Sequence, residues 1–220
     1  MGTNLHHATR SLRNIYPTGS IYRRFLEEII ITDLAEKWDA KYQNTSNNQA
    51  VFPAWVLKHH SQQLPLKGKG LDLACGLGGN ARFMALCGLK VDAWDISDVA
   101  LTHLNNYAAV NRLSITPTLC DFNQMLFPYQ QYDVIVISKY LNRNLFPQIE
   151  LALKPGGKLF MQTFLAPVQE NAPKTESFYL KSGELNTAFP KLVTEIYGEG
   201  WLAENDNLAH RYAWYIGTKV

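Results

Sequence analysis

Three carboxylates and a run of glycines carry the chemistry that is legible in this chain. The stretch Gly70 to Ala85, GLDLACGLGGNARFMA, opens with an apolar run interrupted by one acid, Asp72. It continues into three glycines within four positions, Gly76, Gly78 and Gly79, followed by Asn80. An apolar run, a glycine turn and a helix-forming run together mark a buried strand turning sharply into a helix. Glycine suits such a turn because it accepts positive φ and lets a bound molecule approach the backbone. The helix start then offers unpaired N–H groups and a partial positive charge to an anionic ligand group. The expectation is a cofactor cradle of Ala74, Cys75, Gly76, Gly78 and Asn80 beside Asp72, with Cys75 a small side chain under the ligand.

Two further acids end apolar runs. Asp95, followed by Ile96, lies 17 residues beyond Gly78, where a carboxylate can accept hydrogen bonds from both hydroxyls of a ribose. Such an acid serves NAD or S-adenosylmethionine alike. The turn from Gly76 to Ala81 satisfies the dinucleotide fingerprint with Ala for its third glycine, so NAD(H) stands as an alternative. Three features point to the sulfonium cofactor instead. Asp72 falls inside the end of the first strand, where a carboxylate would repel a diphosphate and attract the ammonium of a methionine moiety. Asp121 follows the third strand, placed to accept from an adenine amino group while Phe122 packs on the ring. The third is LKPGGKLF, residues 153–160, a Pro-Gly-Gly turn entering a strand.

The elements that must position these groups follow from periodicity. Strands are predicted over 70–74, 90–94, 115–119, 132–137 and 159–164, with two closing strands over 192–197 and 211–218. Pro117 assigns the third strand to a sheet edge, because proline cannot donate to a ladder. Helices are predicted over 79–86, from a Ser97 N-cap to about 111, over 145–153, and from a Ser182 cap to Ala188. Residues 165–179 form a long polar connection. Upstream, Thr32 is the expected N-cap of a helix to Tyr42, with Leu34, Trp38 and Tyr42 along one face. The polar loop 43–49 precedes a helix over 51–63 with Pro53 in its first turn. The chain thus divides into an extension, 1–36, with a helix expected within 20–33, and one α/β domain, 37–220. Its alternation of strand and helix predicts a doubly wound, mostly parallel sheet. Ligands of such sheets bind beyond the carboxyl ends of the strands, where Asp95 and Asp121 fall.

Composition narrows the class. A hydrophobic fraction of 46% and a charged fraction of 18% over 220 residues are those of an ordinary globular protein. The formal charge of +2, with no basic block, argues against nucleic acid as a partner. No apolar run reaches the ~18–20 residues that cross a bilayer, and residues 1–10 lack the apolar stretch of a signal peptide. Cys75, Cys87 and Cys120 form no CxxC pair, and the adjacent His6-His7 and His59-His60 pairs are poor metal ligands. A cytoplasmic protein without a metal site is expected.

With those motifs in view, the chain resembles the class I S-adenosylmethionine-dependent methyltransferases, and among them the small bacterial TehB-like group linked to tellurite resistance. The resemblance runs from about Lys37 onward through WDAKY, DLACGLGGNA, VDAWDIS, YDVIVISKYLNRNLFP, LKPGG, QTF and LKSGEL. It implies a seven-stranded sheet with the last strand antiparallel and S-adenosylmethionine across the ends of the first three strands. The stripe of Trp38 and Tyr42 is read by itself either as a helix face packed on the core or as one that also covers the ligand. Relatives carry Arg where Gly79 stands, so one basic contact is missing here.

Methyl transfer is an in-line displacement in which the protein mainly supplies alignment. A soft nucleophile needs no catalytic base, whereas an oxygen or nitrogen acceptor can need one. Ser138, Lys139, Tyr140 and Arg143, after the fourth strand, are the rim residues nearest the expected methyl group. Ser138 falls to the cofactor, while Lys139, Tyr140 and Arg143 are acceptor-side candidates, the two cations suiting an anionic acceptor. The expected reaction is methylation of a small molecule. A macromolecular acceptor, a non-catalytic S-adenosylmethionine-binding module and an NAD-dependent oxidoreductase are the alternatives.

Overall fold

The computed structural model describes residues 32–45, 50–203 and 209–220. Two helices lead in, α1 over 32–42 and α2 at Trp55–His59. The alternating body comprises β1 Lys69–Leu73, α3 Gly79–Leu86, β2 Lys90–Asp95, α4 Asp98–Asn111, β3 Ile115–Leu119, β4 Tyr132–Ser138, α5 Phe146–Ala152 and β5 Leu153–Phe164. The short helix α6 Glu184–Thr187 and the strands β6 Leu192–Ala203 and β7 Ala209–Lys219 close the chain.

One seven-stranded sheet in the order β3-β2-β1-β4-β5-β7-β6 results. β7 runs antiparallel to both neighbours, and the other pairings are parallel. Strand order reverses between β1 and β4, which opens a crevice beyond their carboxyl ends. The central strands are apolar runs because both of their faces are covered. Leu71, Leu73, Ile135 and Ile137 face one core, while Val134, Val136 and Phe160 face a second core shared with α2 and α3. Asp72 pairs in register with Val136, so its side chain enters the α2/α3 layer. Pro117 lies opposite Ala93 on β3, at the sheet edge.

Several boundaries differ from the sequence expectation. Thr32 is already helical. The helix expected over 51–63 is only Trp55–His59 plus a 3-10 turn at Ser61–Gln63, with Pro53 ahead of it. β5 begins at Leu153, because Leu153 pairs with Tyr132 before the Pro-Gly-Gly segment shifts the register to Val134 and Lys158. Gly183, in the left-handed conformation, caps α6 in place of Ser182, whose hydroxyl donates to Glu199. The extension over 1–31, with its expected helix, and residues 46–49 of the polar loop lie outside the described residues.

Candidate functional site at the carboxyl edge of the sheet

The turn after β1 is tight and conformationally demanding. Ala74, Gly76 and Gly78 all have positive φ, at 57°, 50° and 78°. Ala74 is a non-glycine residue in a sparsely populated region, a form of local strain that clusters at binding sites. Gly78 serves as the N-cap of α3, and a Cβ there would meet Leu104 at 2.4 Å. At Gly79 a Cβ would lie 2.1 Å from the backbone oxygen of Phe52. The backbone before α2 therefore fills the space that a side chain at this position would need.

Asp95 ties this turn to the next one. Its Oδ2 accepts from Gly76 N–H at 2.7 Å and its Oδ1 from Ser97 N–H at 2.9 Å. Burial pushes its pKa up, and the backbone N–H groups of Gly76, Ser97 and Ile96 hold it back. The carboxylate is thus fixed at the end of β2 with Ile96, half-buried, beside it.

Asp72 is fully buried. Its Oδ2 accepts from Ala81 N–H at 2.8 Å and its Oδ1 from the Asn80 amide at 3.2 Å. Burial raises its pKa to about 7, against the hydrogen bonds from Asn80 and Ala81. Asn80 also donates to Ser138 Oγ at 3.0 Å and accepts from Ala54 N–H at 2.9 Å. Both amide hydrogens and the carbonyl of Asn80 therefore meet protein groups, so the side chain positions Asp72, Ser138 and the entry to α2. Cys75 is buried, and that burial, followed by Asp72 and Asp95, drives its thiol pKa well up; the group is packing, without nucleophilic character.

At the end of β3, Asp121 Oδ1 accepts from the backbone and amide of Asn123. Its Oδ2 is buried and meets no partner among the described residues. A buried acceptor without a donor is costly. Phe122 is buried in the core, edge-on to Tyr140 with ring centroids 5.5 Å apart.

α1 supplies a roof. Trp38 and Tyr42 stack at 6.1 Å between centroids, and Tyr42 Oη would lie 2.7 Å from a Cβ on Gly76. Burial, then Asp95, raises the Tyr42 pKa, so the phenol stays protonated. Leu34, expected on the same packed face, is exposed. Lys41 Nζ lies 4.4 Å from the Trp38 ring centroid. Desolvation and then the charge of Lys139 lower its pKa, against the attraction of Asp95. Lys139, exposed and at φ 55°, sits immediately after β4.

Arg143 departs from the acceptor-side role expected for it. Its guanidinium forms an ion pair with Glu184 and donates to the backbone oxygens of Ser177 at 3.1 Å and Tyr179 at 3.0 Å. It clamps the connection after β5, because the positions that look like a solvated helix start from local sequence face a loop more than thirty residues away. Among the described residues, no group of three or more His, Cys, Asp or Glu side chains could hold a metal ion, and no helix is long and apolar enough to cross a membrane.

A family model described as tellurite resistance protein TehB matches residues 35–207. The chain belongs to the TehB family. It is 34% identical over 161 residues to a probable S-adenosyl-L-methionine-dependent methyltransferase TehB of Haemophilus influenzae, covering 69% of this chain and 56% of that one. It is 30% identical over 138 residues to a ubiquinone biosynthesis O-methyltransferase of Coxiella burnetii, covering 60% of this chain and 58% of the relative. The chain thus spans well under two thirds of the length of these curated relatives. The crystal structure of TehB from Haemophilus influenzae superposes with a TM-score of 0.66 at 21% identity, over 83% of this chain and 67% of that one, a likeness of fold.

Within this TehB-family chain, three contributors went unread in the sequence. Asp39 Oδ1 accepts from Ser97 Oγ–H at 2.6 Å and from Val99 N–H at 3.2 Å. Gln162, fully buried, accepts from Val56 N–H at 2.9 Å. Lys41 brings a cation to the roof. Asp39 and Lys41 lie within the WDAKY motif and Gln162 within QTF, whose polar positions were the available signal.

Proposed function

We propose that the protein transfers a methyl group from S-adenosylmethionine to a small-molecule acceptor whose accepting atom is anionic or a soft nucleophile. The observation that carries this reading is the buried, unpartnered Oδ2 of Asp121 on the same rim as the anchored carboxylate of Asp95. In it, Asp95 receives the ribose hydroxyls, and Asp121 receives the adenine amino group with Ile96 and Phe122 against the ring. Ala74, Cys75, Gly76 and Gly78 form the floor, with Asn80 and Ser138 behind it, and Trp38 and Tyr42 the cover. Asp72 is enclosed, so its charge favours an ammonium group across the turn rather than by direct contact. A diphosphate in that place would be repelled, which is the physical case against NAD. The methyltransferase names of the relatives support the same reading.

The cofactor, when bound, would supply an electrophilic sulfonium methyl: the acceptor's lone pair would form the new bond to carbon while the broken carbon–sulfur pair stayed on sulfur as a neutral thioether. The chain's own residues align and shield. Burial raises the pKa of Tyr140, so at neutral pH its phenol keeps its proton. Without a general base among these groups, a soft or already anionic acceptor is the better match. Lys139 and Lys41 place positive charge at the rim, which favours an anionic acceptor by a few tenths to ~1 kcal/mol per exposed cation. Calorimetric titration of S-adenosylhomocysteine and NADH in parallel tests the reading: binding of the former alone is expected, and binding of NADH alone overturns it.

A further inference from the structure

α1 carries Trp38, Lys41 and Tyr42 together, yet it is not part of the sheet's chain of strand-to-helix crossovers, so something must hold it down. Asp39 Oδ1 ties it to the start of α4, accepting from Ser97 Oγ–H and Val99 N–H. These donors form the first turn of the 14-residue helix α4. A carboxylate is favoured there by the helix dipole and by the N–H groups that have no intrahelical partner. Ser97 is already in use from the other side: its backbone N–H donates to Asp95, and its hydroxyl oxygen accepts from Ala100 N–H at 3.1 Å. Asp95 in turn holds Gly76, over which the Tyr42 hydroxyl rests. Asp39, Ser97, Asp95, Gly76 and Tyr42 therefore close a ring of contacts that begins and ends on α1.

We infer that Asp39 is a latch: it holds α1 as a roof over the cleft, and through Ser97 it couples that roof to the carboxylate that receives the ribose. The inference rests on the cofactor reading above. Asp39 touches neither cofactor nor acceptor, so it is a positioning residue. Releasing it withdraws Trp38, Lys41 and Tyr42 as a unit and opens the route by which a bound nucleoside leaves. The latch governs retention more than initial association, since an open roof hinders entry less than a closed one.

The test compares wild type, Asp39→Ala and Asp39→Asn, the last keeping an oxygen acceptor at the same position. In the ligand-free proteins, amide exchange across residues 32–42 should be faster in Asp39→Ala than in wild type and near wild type in Asp39→Asn. S-adenosylhomocysteine should leave Asp39→Ala about tenfold faster, as for the loss of the hydrogen bonds to Asp39, and leave Asp39→Asn, which keeps the acceptor, at close to the wild-type rate. Unchanged exchange across α1 in Asp39→Ala overturns the latch whether or not any nucleoside binds. Faster exchange with an unchanged release rate overturns its link to retention. Failure of the wild type itself to bind S-adenosylhomocysteine overturns the cofactor reading, and the retention role with it. If Asp39→Ala does not fold, Ser97→Ala, which removes the hydroxyl donor to Asp39, decides: exchange across α1 as slow as in wild type overturns the latch.

Discussion

At the ends of β1, β2 and β3, each candidate carboxylate is gripped by backbone amides of the turns and of the helix start: Asp72 by Ala81, Asp95 by Gly76 and Ser97, Asp121 by Asn123. At the ends of β4 and β5 the anchoring runs through long side chains instead. Arg143 reaches Ser177, Tyr179 and Glu184, and Gln169 binds both the carbonyl and the N–H of Arg211. Backbone anchoring costs little side-chain entropy and tolerates few substitutions. Side-chain anchoring gives up ~1.5–2 kcal/mol of rotamer freedom per long residue and can be rewired without disturbing the sheet. Under the proposed function, the backbone-gripped half is the cofactor half and the other the acceptor half.

That contrast can be broken most forcefully at Asp95. Asp95→Ala leaves the N–H groups of Gly76 and Ser97 without their acceptor and removes the expected ribose contact. Loss of hydrogen bonds to a charged group, ~1.5–3 kcal/mol each, should weaken S-adenosylhomocysteine binding roughly 10- to 100-fold by calorimetry. An affinity within twofold of wild type would mean the backbone-gripped half is not the cofactor half.

Gly79→Arg probes the same half through packing. The added Cβ would lie 2.1 Å from a backbone oxygen that cannot rotate away, so the segment before α2 must move. Overpacking of this kind costs ~1–3 kcal/mol, and at ~2–4 °C per kcal/mol for a chain of this size the melting temperature should drop by several degrees. A variant that melts with wild type would show that the Phe52 segment yields freely.

Asp72 sharpens the comparison through pH. Its folded pKa is about 7, above the ordinary carboxylate value of ~3.9. The folded, ligand-free protein therefore holds a proton that the unfolded chain releases, and this group's contribution to stability is full below pH ~4 and lost as the pH rises to about 7. Relative to wild type, Asp72→Asn should gain in thermal stability between pH 5 and pH 8. A bound ammonium favours the ionised carboxylate, so S-adenosylhomocysteine should bind wild type more tightly as the pH rises through 7. That dependence should flatten in Asp72→Asn; a parallel profile in both proteins would remove Asp72 from the site.

The smallest effect on the cofactor belongs to the other half. Arg143→Ala should leave S-adenosylhomocysteine affinity within about twofold, since exposed ion pairs contribute ~0–1 kcal/mol, while cleavage by a protease within residues 165–183 should become faster. Equal loss of cofactor affinity would merge the two halves into one.

What the sequence by itself determined is whatever depends on neighbours a few residues apart. The glycine turn, α3 at Gly79–Leu86, the Ser97 cap of α4, β3 at Ile115–Leu119 and its edge position all follow from φ preferences, capping and a missing N–H. Those forces act within one turn or one strand, so residue type and spacing suffice to read them. Tertiary structure alone decided the partners of Arg143, Asp39 and Gln162, which lie 34 to 41, 58 to 60 and 106 residues away along the chain. An arginine at a helix start and an aspartate on a helix face have many equivalent fates locally. Only the docking of whole elements, set by burial of their apolar faces, chooses among them.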